Sequence, residues 1–425
     1  MPRMVATAIP QRAGTVVIGG GAIGIAVALE LVREGIDVLV LERDRIGEGA
    51  TAGTAGMVTA SHAERMANPS ALMEGVRALP NPAGPLALRP TPRVVPWLAR
   101  FTRASLDRGG ARRGTDLLVS LAVESQAIHR AWNDEFGTGL VGRGTLNAYL
   151  TQAGLEHGLA GAEHHRALGL RFEVLDRAGM AAREPAVRGA IGAIWYPDDA
   201  HLDSLGFARH VGEQARVEGA VIAEGVEVHR LREEPAGIRL DTSSGVVVAD
   251  RVVLAAGIGS KAIAPGIGIH APMAGAKGYH VEFAGASPLE TPVFLAETRV
   301  VATPLEGRIR LAGTLELGSP DGSVDMRRVE AIARAGAEHV DGLAGAARTA
   351  VWHGLRPMTP DGMPMVGRSP HSGRVVVATG HGMLGITLAP VTAHLVRRIV
   401  AGEPDDPRLA SLAPGRFRRL LPFVG

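Results

Sequence analysis

Between Thr15 and Ala26 the chain reads Thr-Val-Val-Ile-Gly-Gly-Gly-Ala-Ile-Gly-Ile-Ala, and a second apolar run closes on Leu41-Glu42-Arg43. A short apolar strand, a glycine turn, a small-residue helix and a second strand tipped by an acid leave few folds open. That order of elements describes a parallel βαβ unit that holds a dinucleotide. Gly19 permits the tight turn, Gly21 lets backbone approach a pyrophosphate, and Gly24 lets the helix sit close to the strand. The amides of the helix start, from Gly21 through Ala22 and Ile23 to Gly24, face phosphate charge. Glu42 lies 23 residues after Gly19, where a carboxylate accepts both ribose hydroxyls of an adenosine and repels a 2′-phosphate. NADP is thereby disfavoured.

The next segment, Gly47 to Gly56, is too glycine-rich for a helix. It offers unencumbered amides and the hydroxyls of Thr51 and Thr54 as a second phosphate or ring contact; a plain surface loop is the alternative. Proline punctuates the chain from Pro80 to Pro96, and helical patterning returns over Thr115–Trp132 and from Ser204 to Glu218. Gly237–Leu240 and Val246–Val248 read as a hairpin about Ser243-Ser244-Gly245. Arg251-Val-Val-Leu-Ala-Ala-Gly is a further buried strand ending at Gly257. Alternation over Lys277–Phe283 and Arg308–Thr314 predicts an antiparallel sheet in a second domain, inserted into the first. The dinucleotide domain resumes at Arg374–Ala378, where a strand enters Thr-Gly-His-Gly-Met-Leu-Gly and a helix leaves it from Ala389.

Composition narrows the function. The 425 residues are 46% hydrophobic but only 4% aromatic, so the core is mostly aliphatic. Formal charge is +2 and the arginines are scattered, which argues against nucleic acid. There is no cysteine, so disulfides, thiolate nucleophiles and a cysteine-linked flavin are excluded. No histidine group has metal-ligand spacing, no metal is expected, and no G-x-S-x-G elbow supports seryl hydrolysis. The N-terminal arginines run into a structured strand without a cleavage-like site, so no secretory signal is expected. No apolar stretch approaches the roughly 20 residues of a membrane span. The tail Arg416–Gly425 mixes cationic and apolar residues; it suits either contact with an anionic membrane surface or a packed chain end.

A nicotinamide cofactor needs a second nucleotide-binding half, and a second acid-tipped βαβ unit is not visible. A flavin spans instead from the first unit to a distant glycine-rich helix start, and the amides of Gly382–Gly385 would neutralise charge at the reduced ring's N1–C2 edge. FAD is favoured over NAD on that ground. In Trp352-His-Gly-Leu-Arg-Pro-Met-Thr-Pro-Asp-Gly, Pro357 and Pro360 stiffen the backbone so that Arg356 presents a planar fork to a substrate carboxylate. The alternative is a structural pair with Asp361. Tyr279 either donates its hydroxyl to the same carboxylate or is a buried structural residue.

The pieces VVIGGGAIGIAVALEL, VLVLER, VVLAAG, GLRPMTPDGMPMVG and TGHGMLGITLAP occur in one order across nearly the whole chain. Together they resemble the D-amino-acid dehydrogenase and glycine oxidase branch of the DAO family. The resemblance implies an α/β fold: an FAD-binding Rossmann-like three-layer domain (1–95, 145–270 and 340–425) with a discontinuous antiparallel-sheet substrate domain (96–144 and 271–339). It implies noncovalent FAD held by Gly19, Gly21, Gly24 and Glu42 at the ADP half, with Arg43 and Thr51 at ribose and pyrophosphate. Val226 would meet adenine through its backbone, with Ala256 and Gly257 nearby. Thr54, Ala55 and Gly56, standing where many relatives have Asn-Ala-Gly, would approach the flavin without the amide side chain. Gly380, His381, Gly382, Met383, Leu384, Gly385, Ile386 and Thr387 would line the flavin and pyrimidine edge, and Arg356 and Tyr279 would be the catalytic pair. Asp199-Ala-His-Leu-Asp-Ser departs from the glycine and proline common at that point.

The implied reaction is hydride transfer from the α-carbon of a small amino acid to flavin N5. A D-amino acid, D-proline and hydroxy-D-proline included, would give an imine or keto acid and pass its electrons to a quinone or other carrier. An oxygen-using glycine, sarcosine or D-amino-acid oxidase is the alternative, and a non-catalytic FAD-binding scaffold the distant one. The expected location is cytoplasmic, with peripheral contact at the inner face of the membrane.

Overall fold

The structure is a computed structural model that describes residues 9–78, 84, 86–88, 91–285, 287–318 and 323–417. The chain forms two compact units, Met1–Ala52 with Leu205–Ala274 and Arg356–Gly425, and Gly53–Ser204 with Gly275–Leu355.

In the first unit five parallel strands lie in the order Val221–Glu224, Val38–Glu42, Arg12–Ile18, Gly245–Leu254, Val375–Thr379. In chain order this is 3-2-1-4-5, the arrangement of a doubly wound sheet, and direction reverses beside Arg12–Ile18. Val17 stands opposite both Val40 and Val253. These strands are apolar at successive positions because both faces are covered. Val16, Ile18, Leu39, Leu41, Val252 and Leu254 pack with Leu231, Ile263 and Ile267 on one side. Helix Ala22–Arg33, buried over ten of its residues, packs against helix Gly385–Ala401. The hairpin strand and the buried strand expected separately near Val246 and Arg251 are one element, Gly245–Leu254. No turn residue interrupts Ala249-Asp250-Arg251, so the strand pairs antiparallel with Gly237–Thr242 and runs on parallel to Arg12–Ile18.

In the second unit, nine strands among the described residues form a mostly antiparallel sheet with Ala274–Ala284 between Arg348–Met358 and Arg308–Leu317. Parallel pairing occurs where Val293–Leu295 meets Thr145–Tyr149 and where Leu86–Leu88 meets Arg308–Leu317. Helix Met326–His339 packs on this sheet, and its core joins Val281, Phe283, Leu311, Val329 and Ile332. The expected boundaries therefore move. Residues 145–204 belong with the second sheet because Thr145–Tyr149 ladders onto Val293–Leu295, and Gly192–Tyr196 onto Thr145–Tyr149. Residues 53–95 and 340–355 join the second unit as well.

Candidate functional site

The carboxyl ends of the parallel strands in the first unit gather the residues expected to bind the nucleotide. Gly19 has φ +105°, and a Cβ there would stand 2.7 Å from the carbonyl oxygen of Ala255. A Cβ on Gly24 would stand 1.9 Å from the carbonyl oxygen of Gly19. The turn therefore closes only with glycine at both positions. Helix Ala22–Arg33 starts at Gly21 with no side-chain cap, so the first-turn amides and the dipole face outward as an anion cradle. Thr51 Oγ accepts from the amide of Ala22 at 3.0 Å, which aims its own proton onward from the helix start. Ile23 lies in that first turn. Glu42 ends its strand with Oε2 accepting from Gly20 N at 2.6 Å and Oε1 from Asp44 N at 2.8 Å. Two backbone donors orient the carboxylate while leaving it lone pairs for ribose hydroxyls. Arg43 is exposed and paired with Asp44 at 3.1 Å. Val226 donates its amide to the carbonyl of Glu42 at 2.8 Å, so a backbone contact to adenine falls to its carbonyl. Ala256 caps the short turn Gly257–Gly259. The carbonyl of Gly257 accepts from Thr379 Oγ1 at 2.9 Å, and Ser260 Oγ donates to that hydroxyl at 3.3 Å.

The second glycine turn follows strand Val375–Thr379. Gly380 and Gly382 have φ +77° and +57°, backbone that L side chains avoid. Leu384 begins helix Gly385–Ala401 without a side-chain cap, and Ile386 and Thr387 are buried in its first turn. Met383 is 50% exposed. His381 is buried with Nε2 3.0 Å from Thr392 Oγ1, and burial lowers its pKa to about 3, so the ring is neutral. Gly382 N donates to the carbonyl of Pro357 at 3.1 Å, and Met358 bridges His381. Arg356 is thus the residue next to one hydrogen-bonded to this turn. Its guanidinium is pulled down to about 10 by burial, yet stays charged at pH 7. The carboxylate of Asp361 takes Arg416 Nε at 2.7 Å and Nη2 at 3.2 Å. Arg416 also donates to the carbonyls of Leu412 and Met363, each at 2.7 Å. The first residue of the expected membrane tail is therefore a clamp within the fold; residues 418–425 lie outside the described ones.

Three expected flavin contacts belong to the second unit. Thr54 Oγ1 accepts from Gly56 N at 3.2 Å, and Thr54 carbonyl accepts from Arg310 Nη1 at 2.9 Å. Ala55 carbonyl accepts from Thr303 Oγ1 at 2.7 Å. A Cβ on Gly56 would reach within 2.2 Å of the carbonyl oxygen of Leu202. Arg310 is held in turn by Glu282 at 2.7 Å. Tyr279 is 1% exposed, and its hydroxyl donates to Glu316 Oε2 at 3.1 Å. Burial, followed by the charge of Glu316, pushes its pKa up to about 12. Between Gly313 and Glu316 the partner strand carries one extra residue against Lys277–Tyr279, and Thr314 in that bulge has φ +64°. This is the arrangement of the structural alternative for Tyr279.

Sequence reasoning missed Asp199 as a hub. Its buried carboxylate receives Ala60 N at 2.9 Å, Gln126 Nε2 at 3.0 Å, Thr145 Oγ1 at 2.8 Å and Ser61 Oγ. Burial raises its pKa and these hydrogen bonds oppose the rise. Only its departure from the pattern of relatives signalled it.

Among sequences, the profile of FAD-dependent oxidoreductases, DAO, matches residues 15–399. The chain belongs to the DAO family of FAD-dependent oxidoreductases. D-amino acid dehydrogenases of Granulibacter bethesdensis and Methylobacterium nodulans are 30% and 32% identical to it over 418 and 415 residues. Those alignments cover 94% of this chain, and 99% and 98% of theirs. The glycine oxidase from Geobacillus kaustophilus superposes with a TM-score of 0.80 at 25% identity, over 96% of this chain and 100% of that one. L-proline dehydrogenase from P. horikoshii, 19% identical, shares the fold with a TM-score of 0.77 over 96% of this chain and 98% of that one.

The residues present fit FAD. The start of helix Ala22–Arg33, where Thr51 takes the Ala22 amide, suits the pyrophosphate, Glu42 the ribose, and the start of helix Gly385–Ala401 the pyrimidine edge of the ring. Among the described residues no group of acids and histidines could hold a metal ion, and no helix is long and apolar enough to cross a membrane.

Proposed function

We propose that this enzyme oxidises the CH–NH bond of a small D-amino acid, with D-proline and hydroxy-D-proline among the substrates, using noncovalent FAD. The observation that carries the reading is Arg356, a half-buried cation one residue from the carbonyl that Gly382 holds. When bound, FAD supplies the two-electron acceptor for the substrate's α-hydrogen. Arg356 clamps the carboxylate in a bidentate fork and so sets which face and which hydrogen the substrate presents. The α-amine enters neutral, and its lone pair becomes the new C=N bond as the α-hydrogen leaves with its electron pair. Orientation carries the step, so no side-chain base is required. The imine then hydrolyses to a keto acid, or stays cyclic if the substrate is proline-like. Tyr279, committed to Glu316, is assigned to bracing the sheet rather than to the clamp.

The identity to D-amino acid dehydrogenases over 94% of the chain supports a quinone or other carrier as electron acceptor. The likeness to glycine oxidase supports the second reading, an oxidase that makes hydrogen peroxide. Anaerobic reduction by substrate followed by slow reoxidation in air is expected; rapid peroxide formation would establish the oxidase. A cytoplasmic enzyme with peripheral membrane contact remains part of the proposal, tested by fractionating cells with and without a salt wash.

A further inference from the structure

Helix Val95–Leu106, within the second unit, turns one side inward and the other to solvent. Val94, Trp97 and Ser105 are buried, and Trp97 stacks on Phe101 with ring centroids 5.1 Å apart. The outward positions Val95, Ala99, Thr102 and Leu106 recur at helical spacing and carry no charge. Val95 is 51% and Leu106 66% exposed. An aliphatic stripe set outward along a helix is what a helix lying in a membrane interface carries.

The stripe is edged with positive charge. Residues 93–113 hold six arginines and one aspartate, whereas the whole chain has a formal charge of +2, so the remainder is net negative. Arg93, Arg103, Arg108, Arg112 and Arg113 are exposed, and among the described residues none of them makes an ion pair. Asp107, the one acid, is committed within the fold. It ends this helix and caps the next, Arg108–Phe136, by accepting from Gly110 N at 2.8 Å. Asp107 Oδ2 and Nη1 of buried Arg65 both lie within 3.0 Å of where a Cβ on Gly110 would stand, so an inward cation meets that carboxylate. Arg113 Nη1 lies 3.2 Å from the same point on Gly109, which folds its charge back to the helix start. On the two helices packed against Val95–Leu106, Glu74 is held by Arg299 at 2.5 Å and Asp116 is paired with His164 at 2.9 Å. The positive charge of this corner is left facing solvent.

We infer that this corner, residues 93–113, is the surface on which the protein meets a bilayer of anionic lipid. The arginines pair with headgroup phosphates, and Val95 and Leu106 enter the acyl boundary. This rests on the membrane contact proposed above and places it on this helix rather than on the chain end; it is independent of the oxidation chemistry. The aliphatic stripe favours lipid over nucleic acid, whose bases are met by aromatic rings, and here Trp97 and Phe101 are stacked on each other. The test is cosedimentation of the holoenzyme with vesicles of phosphatidylcholine alone or of an equal mixture with phosphatidylglycerol. Binding to the mixed vesicles and not to the neutral ones is expected, with release as salt is raised. Arg103→Gln together with Arg108→Gln should weaken it about 25-fold, roughly fivefold for each arginine lost. Leu106→Ser should weaken it severalfold without changing the salt dependence, since it removes apolar contact and no charge. Both variants should keep wild-type flavin content, melting and bleaching by substrate. Unchanged binding in both overturns the inference and leaves membrane contact standing; if only a chain ending at Phe417 loses binding, the contact belongs to the tail. Equal binding to neutral and mixed vesicles, or to neither, overturns the membrane contact as well. Tighter binding of a DNA duplex than of mixed vesicles at equal salt overturns the inference and reassigns the surface to nucleic acid. Vesicle binding needs no turnover, so these outcomes hold even if no amino acid reduces the flavin.

Discussion

The amide of Gly382 donates to the carbonyl of Pro357 at 3.1 Å. With the bridge from Met358 to His381, this bond fixes the backbone that follows Arg356 to the turn assigned to the flavin edge. Two segments distant in sequence, each carrying half of the proposed chemistry, share one local frame. A carboxylate clamp and a ring-facing turn that moved independently would lose the alignment on which transfer from the α-carbon depends.

Replacing Arg356 should therefore damage substrate binding and leave the cofactor in place. Arg356→Ala is expected to lower kcat/KM on amino acid substrates by roughly 10²- to 10³-fold, the scale of removing one partner of a buried charge pair. Arg356→Lys keeps the charge but loses the planar fork, so it should recover only part. Steady-state kinetics beside the flavin absorbance checks both. Unchanged kinetics, or loss of the flavin, would remove Arg356 from this role.

Gly24 has no room for a methyl group. Gly24→Ala drives a Cβ to 1.9 Å from the carbonyl of Gly19, so helix and turn must part. The purified variant is expected to be colourless and to rebind added FAD at least about tenfold more weakly, which costs about 1.4 kcal/mol. A variant as yellow as wild type would show that the turn opens without loss.

The glycine turn and Glu42 were legible because a tight backbone approach demands particular residues at fixed short spacing, and a single pass along the chain meets them together. Asp199 was not. Its partners Ser61 and Gln126 lie far away in sequence, and a long-range pair leaves no period to read. Asp361 offered Arg356 as a nearby partner, whereas Arg416 supplies the bidentate pair. The domain boundaries moved for a related reason. Strand Thr145–Tyr149 is apolar enough for either sheet, and only its ladder with Val293–Leu295 decides.

Tyr279 gives a separate test of site against scaffold. Tyr279→Phe takes the donor from buried Glu316, which should cost on the order of 1–3 kcal/mol of stability. Thermal melting should fall while kcat/KM stays within about threefold. Lost activity with unchanged melting would mean that the hydroxyl touches substrate.

Acid should destabilise the fold well above the range where most carboxylates titrate. His62, His165 and His201 are lowered by burial from 6.5 to about 4, and His381 to about 3. Below pH 6.5 the unfolded chain takes up protons that the folded chain refuses, so stability present above 6.5 is lost as pH falls toward 4. Each histidine contributes on the order of 1.4 kcal/mol per pH unit inside that window. Melting temperature should fall between pH 7.0 and pH 5.0. An equal or higher value at pH 5.0 would place these imidazoles in water.

Anaerobic titration of the purified protein, followed by flavin absorbance, tests the proposed chemistry most directly. The titrants are D-amino acids, glycine, sarcosine and the proline and hydroxyproline isomers. At least one should bleach the yellow protein, and Arg356→Ala should stay yellow at the same concentration. A wild-type spectrum unmoved by every one of them would contradict the assignment.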